Sequence, residues 1–162
     1  MRSSVPQMMP QACVVYDDLD HHLAAAGSIE RACVPMGMYL AWCANLHLVS
    51  EQLQHSCETL LLRLRYREVT GSELLIAGCG GRLTSDCLNA HGRQFTDRYY
   101  ASFFDDFRAV FGEDVYGVED DWAHYDRLSG VLTRHYMAGR SADSSLRGRD
   151  GRRGARWWKF WL

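Results

Sequence analysis

The chain has 162 residues, of which 47% are hydrophobic and 23% are charged, and its formal net charge is −2. This length fits one domain with a substantial core, and the composition excludes a globally disordered protein. The small net charge conceals an asymmetry, because residues 1–139 carry 11 Lys and Arg against 18 Asp and Glu, whereas residues 140–162 carry 7 against 2. The body is therefore acidic and the tail is basic.

This change of character divides the chain into three segments. Residues 1–13 are predicted to be a flexible N-terminus, residues 14–139 a helical domain, and residues 140–162 a basic, Arg/Gly-rich linker with an aromatic C-terminal cap, WWKFWL. Arg, Gly and Ser without a hydrophobic period predict disorder for the linker. Exposed tryptophans favour fold-back onto the acidic body or self-association into a homo-oligomer over contact with nucleic acid or a membrane.

The segments that would direct the chain to a membrane or out of the cell are not evident. No run approaches the ~20 apolar residues of a membrane span, and the N-terminus lacks the apolar stretch of a signal peptide. The six cysteines form no CxxC pair, which argues against a zinc knuckle or zinc ribbon. We therefore expect reduced thiols and a cytoplasmic protein, although Cys79 and Cys87 could pair under oxidation.

The predicted elements of the first half are mostly helical. Residues 14–16 are read as a short extended piece, followed by an acidic turn at residues 17–20. Pro35 suits the first turn of a helix, and the apolar spacing then predicts that helix over residues 36–47. Ser50 is a plausible N-cap for a second helix, since Glu51 would lie in its first turn.

The second half contains the longest helical pattern. A short helix is predicted from Thr70 to Gly78, before a glycine turn and a brief strand at Arg82-Leu83. Aromatic residues close to a 3.6-residue period predict a helix over residues 93–111, ended by Gly112. A second short strand at residues 115–118 is expected to pair with the first, and the last helix should span residues 121–137. The fold class that these elements predict is mainly α, a single-domain helical bundle with at most a small two-stranded β element. We expect Trp42, Phe103 and Leu132 to be largely buried.

The stretch from Phe95 to Asp126 holds ten aromatic residues and nine acids against only two arginines. Aromatic side chains can bury one face while the acids project from the other, and helix capping accounts for only one or two of those acids. The sequence therefore predicts an acidic surface that binds a basic partner protein. The candidate residues lie between the end of the aromatic helix and the start of the last one: Asp105, Asp106, Glu113, Asp114, Tyr116, Glu119, Asp120, Asp121, Trp122 and His124. Trp122 also fits the buried stripe of the last helix, which is the placement we favour.

No recognisable catalytic fingerprint accompanies this segment, because GxSxG, P-loop, dinucleotide and HExxH motifs are all absent. We expect no enzyme, no cofactor and no metal. Two alternatives stay open: an enzyme, metal-dependent or His/Asp-based, built from Asp17, His21, His22 and His124, and an acidic nucleic-acid mimic that binds another basic protein. The first alternative requires the four side chains to converge in one pocket.

The order of the motifs resembles a family of small, mostly uncharacterised bacterial proteins. The matching segments read YDD at 16–18, GMYLAW at 37–42, LVSE at 48–51, REVTGSELL at 67–75, GRLTSDCLN at 81–89, FTDRYY at 95–100 and YGVEDDWAHYD at 116–126. Two positions depart from the pattern, since Val34-Pro35 stands where an imidazole is frequent and His124 where an asparagine is usual.

Domains similar to these are encoded beside secreted bacterial toxins, including type VI and Rhs-like effectors. The resemblance therefore implies an immunity protein, whose partner would be a cognate toxin that acts in the cytosol. It supplies no catalytic residue to transfer. Many toxins with anionic substrates have basic clefts, which an acidic surface can occupy with electrostatically steered association.

Overall fold

The computed structural model describes residues 12–154, with side chains up to Arg147. The elements follow one another as β1 (Val15–Asp18), α1 (Leu19–Ala26), α2 (Ile29–Asn45), α3 (Glu51–Ser56), α4 (Glu58–Arg65), α5 (Gly71–Cys79), β2 (Arg82–Thr84), a 3₁₀ turn (Ser85–Cys87), α6 (Ala90–Phe111) and α7 (Trp122–Gly154). The prediction of a mainly α domain with one small two-stranded sheet is confirmed. Most of the predicted N-terminal segment and the aromatic cap lie outside the described residues.

The predicted caps form where local signals were strong. The Ser50 hydroxyl accepts from the Leu53 amide at 3.2 Å and begins α3. Thr70 begins α5 with a reciprocal capping box, in which the Glu73 carboxylate accepts from the Thr70 amide at 2.7 Å. α5 ends one residue later than predicted, because Gly80 takes the left-handed conformation that terminates the helix.

The start of α2 was predicted wrongly. The helix begins at Ile29, and the hydroxyl of Ser28 accepts from the Arg31 amide at 3.3 Å. Pro35 therefore lies inside α2, where it removes one backbone hydrogen bond. The helix tolerates this because every residue from Ala32 to Ala44 is buried, so packing on all sides outweighs the missing bond.

The second strand was also placed wrongly. β2 pairs antiparallel with β1, so that Asp17 lies opposite Leu83 and Asp18 opposite Arg82. Residues 115–118 instead form a turn in which the Gly117 amide donates to the Asp114 carbonyl at 3.2 Å. The acidic turn predicted at residues 17–20 is the end of β1 and the beginning of α1, which Asp18 caps.

The two long helices extend beyond their predicted limits. α6 begins at Ala90, with Asn89 as its N-cap, and α7 continues past residue 137 to Gly154. Isolated glycines cost a helix only about 1 kcal/mol each, so they did not end α7 at Gly139. An ion pair between Arg98 and Asp143 holds this extension near α6 at 3.5 Å. The division of the chain at residue 140 stays a prediction.

The core is built around α2, which the other helices cover. Trp42, Phe103 and Leu132 are buried as predicted, from α2, α6 and α7 respectively. The Trp42 indole N–H donates to Thr133 of α7 at 3.1 Å. Among residues 12–154, no helix combines the length and the apolar character needed to cross a bilayer. This packing brings the end of α6 and the start of α7 together at one surface.

Candidate functional site

An open depression lies between the end of α6 and the start of α7, with the loop 112–121 as its rim. We call it the anionic hollow, and its volume is about 500 Å³. The residues that line it are Phe111, Asp114, Gly117, Val118, Glu119, His124 and Arg127. Gly112 ends α6 with φ +95°, a conformation that favours glycine, and so directs the chain into this loop.

One wall of the anionic hollow is aromatic. The ring of Phe111 lies 5.7 Å from that of His124. The Arg127 guanidinium stacks over the Phe111 ring at 5.0 Å and donates to the Val110 carbonyl at 2.9 Å. This wall therefore already holds one guanidinium against an aromatic face, a favourable cation–π arrangement.

Four of the seven predicted acids remain accessible around the hollow. The side chain of Glu113 is 94% exposed and that of Asp105 is 83% exposed, and both approach Arg108 only at 3.8 and 3.5 Å. Asp114 and Glu119 are exposed, and within residues 12–147 neither forms an ion pair with a basic side chain. Asp114 and Glu119 are therefore the two carboxylates that are free to meet a cation, while Asp105 and Glu113 share the weak approach to Arg108.

The other three acids are committed to the fold. Asp106 accepts from the Tyr99 hydroxyl at 2.6 Å and lies 3.0 Å from His135 Nε2. Asp120 is half-buried; burial raises the pKa of its carboxyl, while a hydrogen bond from the Thr70 hydroxyl at 2.8 Å opposes the rise. They contribute charge to this region but are not free contact groups.

Asp121 is the N-cap of α7. Its Oδ1 atom accepts from the backbone N–H of His124 at 2.8 Å and lies 2.7 Å from His124 Nδ1. Both hydrogen bonds lower the pKa of the Asp121 carboxyl, and the bond from the backbone N–H has the larger effect. His124 is thereby fixed at the hollow, and its role in binding a partner stays a prediction.

The two aromatic candidates are half-buried rather than free. The Tyr116 hydroxyl lies 2.5 Å from His22 Nδ1. Trp122 packs against Tyr125 at 4.8 Å and under the Arg67 guanidinium at 4.9 Å. Its indole N–H is buried and has no acceptor within the described residues. Trp122 thus packs against the core without being enclosed by it, so neither aromatic residue projects as an anchor.

Sequence reasoning missed a buried hydrogen-bond network beside the sheet. Asp17 accepts from the Tyr100 hydroxyl at 2.5 Å, and its other oxygen lies 2.7 Å from His22 Nε2. The opposite ring nitrogen of His22 meets Tyr116, so the network joins β1, α1, α6 and the loop 112–121. These partners lie 83 and 94 residues apart in sequence, and no local pattern signals them.

The residues proposed for an enzyme therefore do not converge. Asp17 and His22 meet, but His21 is exposed and His124 pairs with Asp121 at the hollow. The side chains of His22 and Asp17 are only 13% and 9% exposed. Both imidazole nitrogens and both carboxylate oxygens have protein partners, which is the arrangement of a structural tie rather than of a group that awaits a substrate.

The hollow also contains a set of donors that could hold a cation. One ligand atom each from Glu119, Asp121 and His124 lies within 4.8 Å of the others. Carboxylate and imidazole donors suit divalent transition metals. His124 Nδ1 already lies 2.7 Å from Asp121 Oδ1, so a metal bound through these two atoms would have to displace that hydrogen bond.

The fold and this surface define a small, mainly α-helical domain with an anionic hollow. The chain belongs to the family described as Domain of unknown function (DUF7832), whose model matches residues 15–118, more than half of its length. No curated protein matches the chain, and no solved structure does.

Proposed function

We propose that this protein is an immunity protein that binds and blocks a cognate bacterial toxin in the cytosol. The observation that supports the proposal is the anionic hollow, an open depression lined by the exposed carboxylates of Asp114 and Glu119, which form no ion pair with a basic side chain within residues 12–147. The basic patch that would fit this surface is the substrate cleft of a toxin that acts on an anionic substrate. The match of surface to partner is electrostatic and steric, and it requires no catalytic group.

The chemistry of the hollow fits a lysine or arginine side chain from the partner. Asp114, Glu119 and Asp121 lie at or beside it, against the single guanidinium of Arg127 and the imidazole of His124. A second cation that enters here would meet these carboxylates, and charge-assisted hydrogen bonds are stronger than neutral ones. With that toxin side chain held in the hollow, the surface of this protein around it would occupy the position that the toxin needs for its substrate.

The exposed acids that lie outside the hollow serve a second purpose in this proposal. Asp105 and Glu113 lie outside the hollow, where water and salt weaken any one contact. Charges of this kind steer the encounter of two proteins and raise the association rate more than they strengthen the complex. We therefore expect fast association that slows as salt is added.

The test begins with growth rescue. The chain is co-expressed with the toxin encoded beside it, and the purified pair is measured by surface plasmon resonance at low and high salt. Rescue together with tight binding supports the proposal. A neighbouring toxin that neither binds nor is neutralised would refute it, and capture of a nucleic-acid-binding regulator instead would favour the acidic-mimic alternative.

The hydrogen bonds of the acids decide which of them can be reversed to test the interface. Reversal of Asp120 or Asp121 would break contacts that hold α7, so the informative variant is Glu113→Lys with Glu119→Lys. We expect an association rate at low salt reduced on the order of tenfold or more, with a flatter salt dependence. Glu58→Lys on α4 is the matched control, because Glu58 is exposed and does not line the hollow. Equal rates for the double variant and the control would mean that the partner docks elsewhere.

A further inference from the structure

The junction between α5 and the 3₁₀ turn brings two cysteines together. α5 ends at Cys79, and Gly80 and Gly81 follow with φ of +61° and +77°. Two successive left-handed residues reverse the chain, which then runs through β2 and returns at Cys87. The reversal places the Sγ atoms of Cys79 and Cys87 3.0 Å apart.

This distance between the two sulfur atoms is short enough for a disulfide bond to form after a small movement. Both cysteines are unpaired thiols, and a disulfide requires the sulfurs to approach to about 2.0 Å. A shift of about 1 Å in the positions of the two sulfurs therefore suffices. The other cysteines are not placed in this way.

The surroundings of Cys87 favour its thiolate. The hydrogen bond between the Cys87 and Cys79 sulfurs lowers the pKa of Cys87, burial opposes this, and the Thr84 hydroxyl at 3.5 Å lowers the pKa further. The thiolate is the form that attacks oxidants and disulfides. The same hydrogen bond is the main cause that raises the pKa of Cys79, so Cys87 is the more acidic thiol of the pair.

Small molecules can reach the pair. Cys79 and Cys87 both line an open cleft of about 220 Å³, together with Ser56, Gly78 and Asp86. Cys87 is buried apart from this cleft, whereas Cys33 and Cys43 do not line it at all, and burial raises their pKa values.

We propose that Cys79 and Cys87 form a reactive dithiol that a peroxide converts into an intramolecular disulfide. The Cys87 thiolate attacks one peroxide oxygen, the O–O bond breaks, and Cys87 sulfenic acid and hydroxide form. The Cys79 sulfur then attacks the Cys87 sulfur and displaces hydroxide, and the Cys79 proton ends in water. In total, two thiols and one hydrogen peroxide give one disulfide and two waters, with the sulfurs oxidised and the peroxide reduced.

The bond would fix the part of the fold where three elements meet. The Cys87 carbonyl accepts from the Ser50 amide at 2.9 Å, and the Ser50 hydroxyl donates to the Asp86 carbonyl at 2.7 Å. A disulfide closes the loop that contains β2 and limits the freedom of the unfolded chain there. The oxidised protein should therefore unfold at a higher temperature than the reduced one.

A peptide map of the full-length protein tests this. Trypsin cuts after Arg67, Arg82 and Arg93, so Cys79 and Cys87 fall in separate peptides, 68–82 and 83–93. After one equivalent of hydrogen peroxide and alkylation of the remaining thiols, we expect these two peptides to be joined, with a mass lower by two hydrogens. Loss of the joined peptide on reduction completes the expected result.

Variants provide the control. Cys57→Ser removes a neighbouring thiol and should leave the cross-link unchanged, whereas Cys79→Ser should abolish it and leave a sulfenic acid on Cys87 that dimedone labels. Peroxide that oxidises Cys13 or Cys57 before this pair, or that gives only intermolecular disulfides, would overturn the proposal. The wild-type peptide map decides the question even if a variant fails to fold.

Discussion

A close crossing of two helices gives a sharp stability prediction. α2 and α5 cross where Gly37 faces Gly71, with backbone against backbone. A Cβ atom on Gly71 would overlap the Gly37 carbonyl and lie 2.9 Å from the Ala41 Cβ. Gly71→Ala cannot be accommodated by rotation of a side chain, because the obstacle is the main chain of α2.

The magnitude follows from two opposed effects. Overpacking of a tight contact typically costs about 1–3 kcal/mol, and a backbone obstacle places Gly71→Ala at the upper end of that range. Alanine in a helix recovers roughly 0.5–1 kcal/mol relative to glycine. We therefore expect Gly71→Ala to lower the free energy of unfolding by about 2 kcal/mol.

The same substitution elsewhere supplies the control. Gly130 lies within α7, and no atom lies within 4 Å of the position that its Cβ would take. Gly130→Ala should therefore raise the free energy of unfolding by about 0.5–1 kcal/mol. The two variants together should differ by about 3 kcal/mol, or roughly 6–12 °C in Tm for a chain of this size.

Urea unfolding followed by circular dichroism measures both variants, with an unchanged m-value as the sign that the transition is still two-state. Gly37→Ala should behave like Gly71→Ala, since its Cβ would lie 2.5 Å from the Ser72 amide nitrogen. The close crossing of α2 and α5 is not a feature of the protein in solution if Gly71→Ala is as stable as the wild type. The same conclusion follows if Gly71→Ala and Gly130→Ala change the free energy of unfolding in the same direction.

Three further outcomes are expected. Burial raises the pKa of Asp120 in the folded state, so the stability that its protonated carboxyl contributes is present at low pH and is lost as the pH rises through that pKa. Asp120→Asn should therefore be more stable than the wild type at pH 7, and denaturation curves should show that this gain vanishes near pH 3. His47 has φ +57° and an exposed side chain, so His47→Gly should raise the free energy of unfolding by up to about 1 kcal/mol, and any loss of stability contradicts the strain. Asp17→Asn and Tyr100→Phe should each cost about 1.5–3 kcal/mol, and their double variant should cost less than the sum, whereas additive losses would mean that the two side chains do not interact.

The parts of the fold that local sequence encodes could be predicted. The aromatic period of α6, the cap at Ser50 and the start of α5 near Thr70 were read correctly, because each signal lies within one turn of the residues it governs. Pro35 misled the prediction for α2, since proline is common in a first turn and the weaker cap at Ser28 was overlooked. The partner of β2 was missed because a three-residue strand carries almost no pattern that specifies its neighbour.

The candidate site was predictable only in composition. The sequence placed acids near the start of the last helix, but it did not indicate which of them would acquire distant partners. Asp120 is held by Thr70, 50 residues earlier, and Tyr116 by His22, 94 residues earlier. Such contacts depend on how helices are arranged in space, so Glu113, Asp114 and Glu119 could be distinguished from the committed acids only in the structure.

The packing of α7 has a practical consequence for the limits of the domain. The family match ends at residue 118, before α7 begins, yet Leu128 and Leu132 of that helix are fully buried and Tyr136 lies against Trp42 at 5.8 Å. A fragment cut at the family limit would expose the faces of α2 and α6 that these side chains cover, at about 1.5–3 kcal/mol for each buried leucine. That loss is comparable with the whole stability of a small domain. The unit that can be expressed and folded on its own is therefore larger than the unit that defines the family, and it must include the first half of α7.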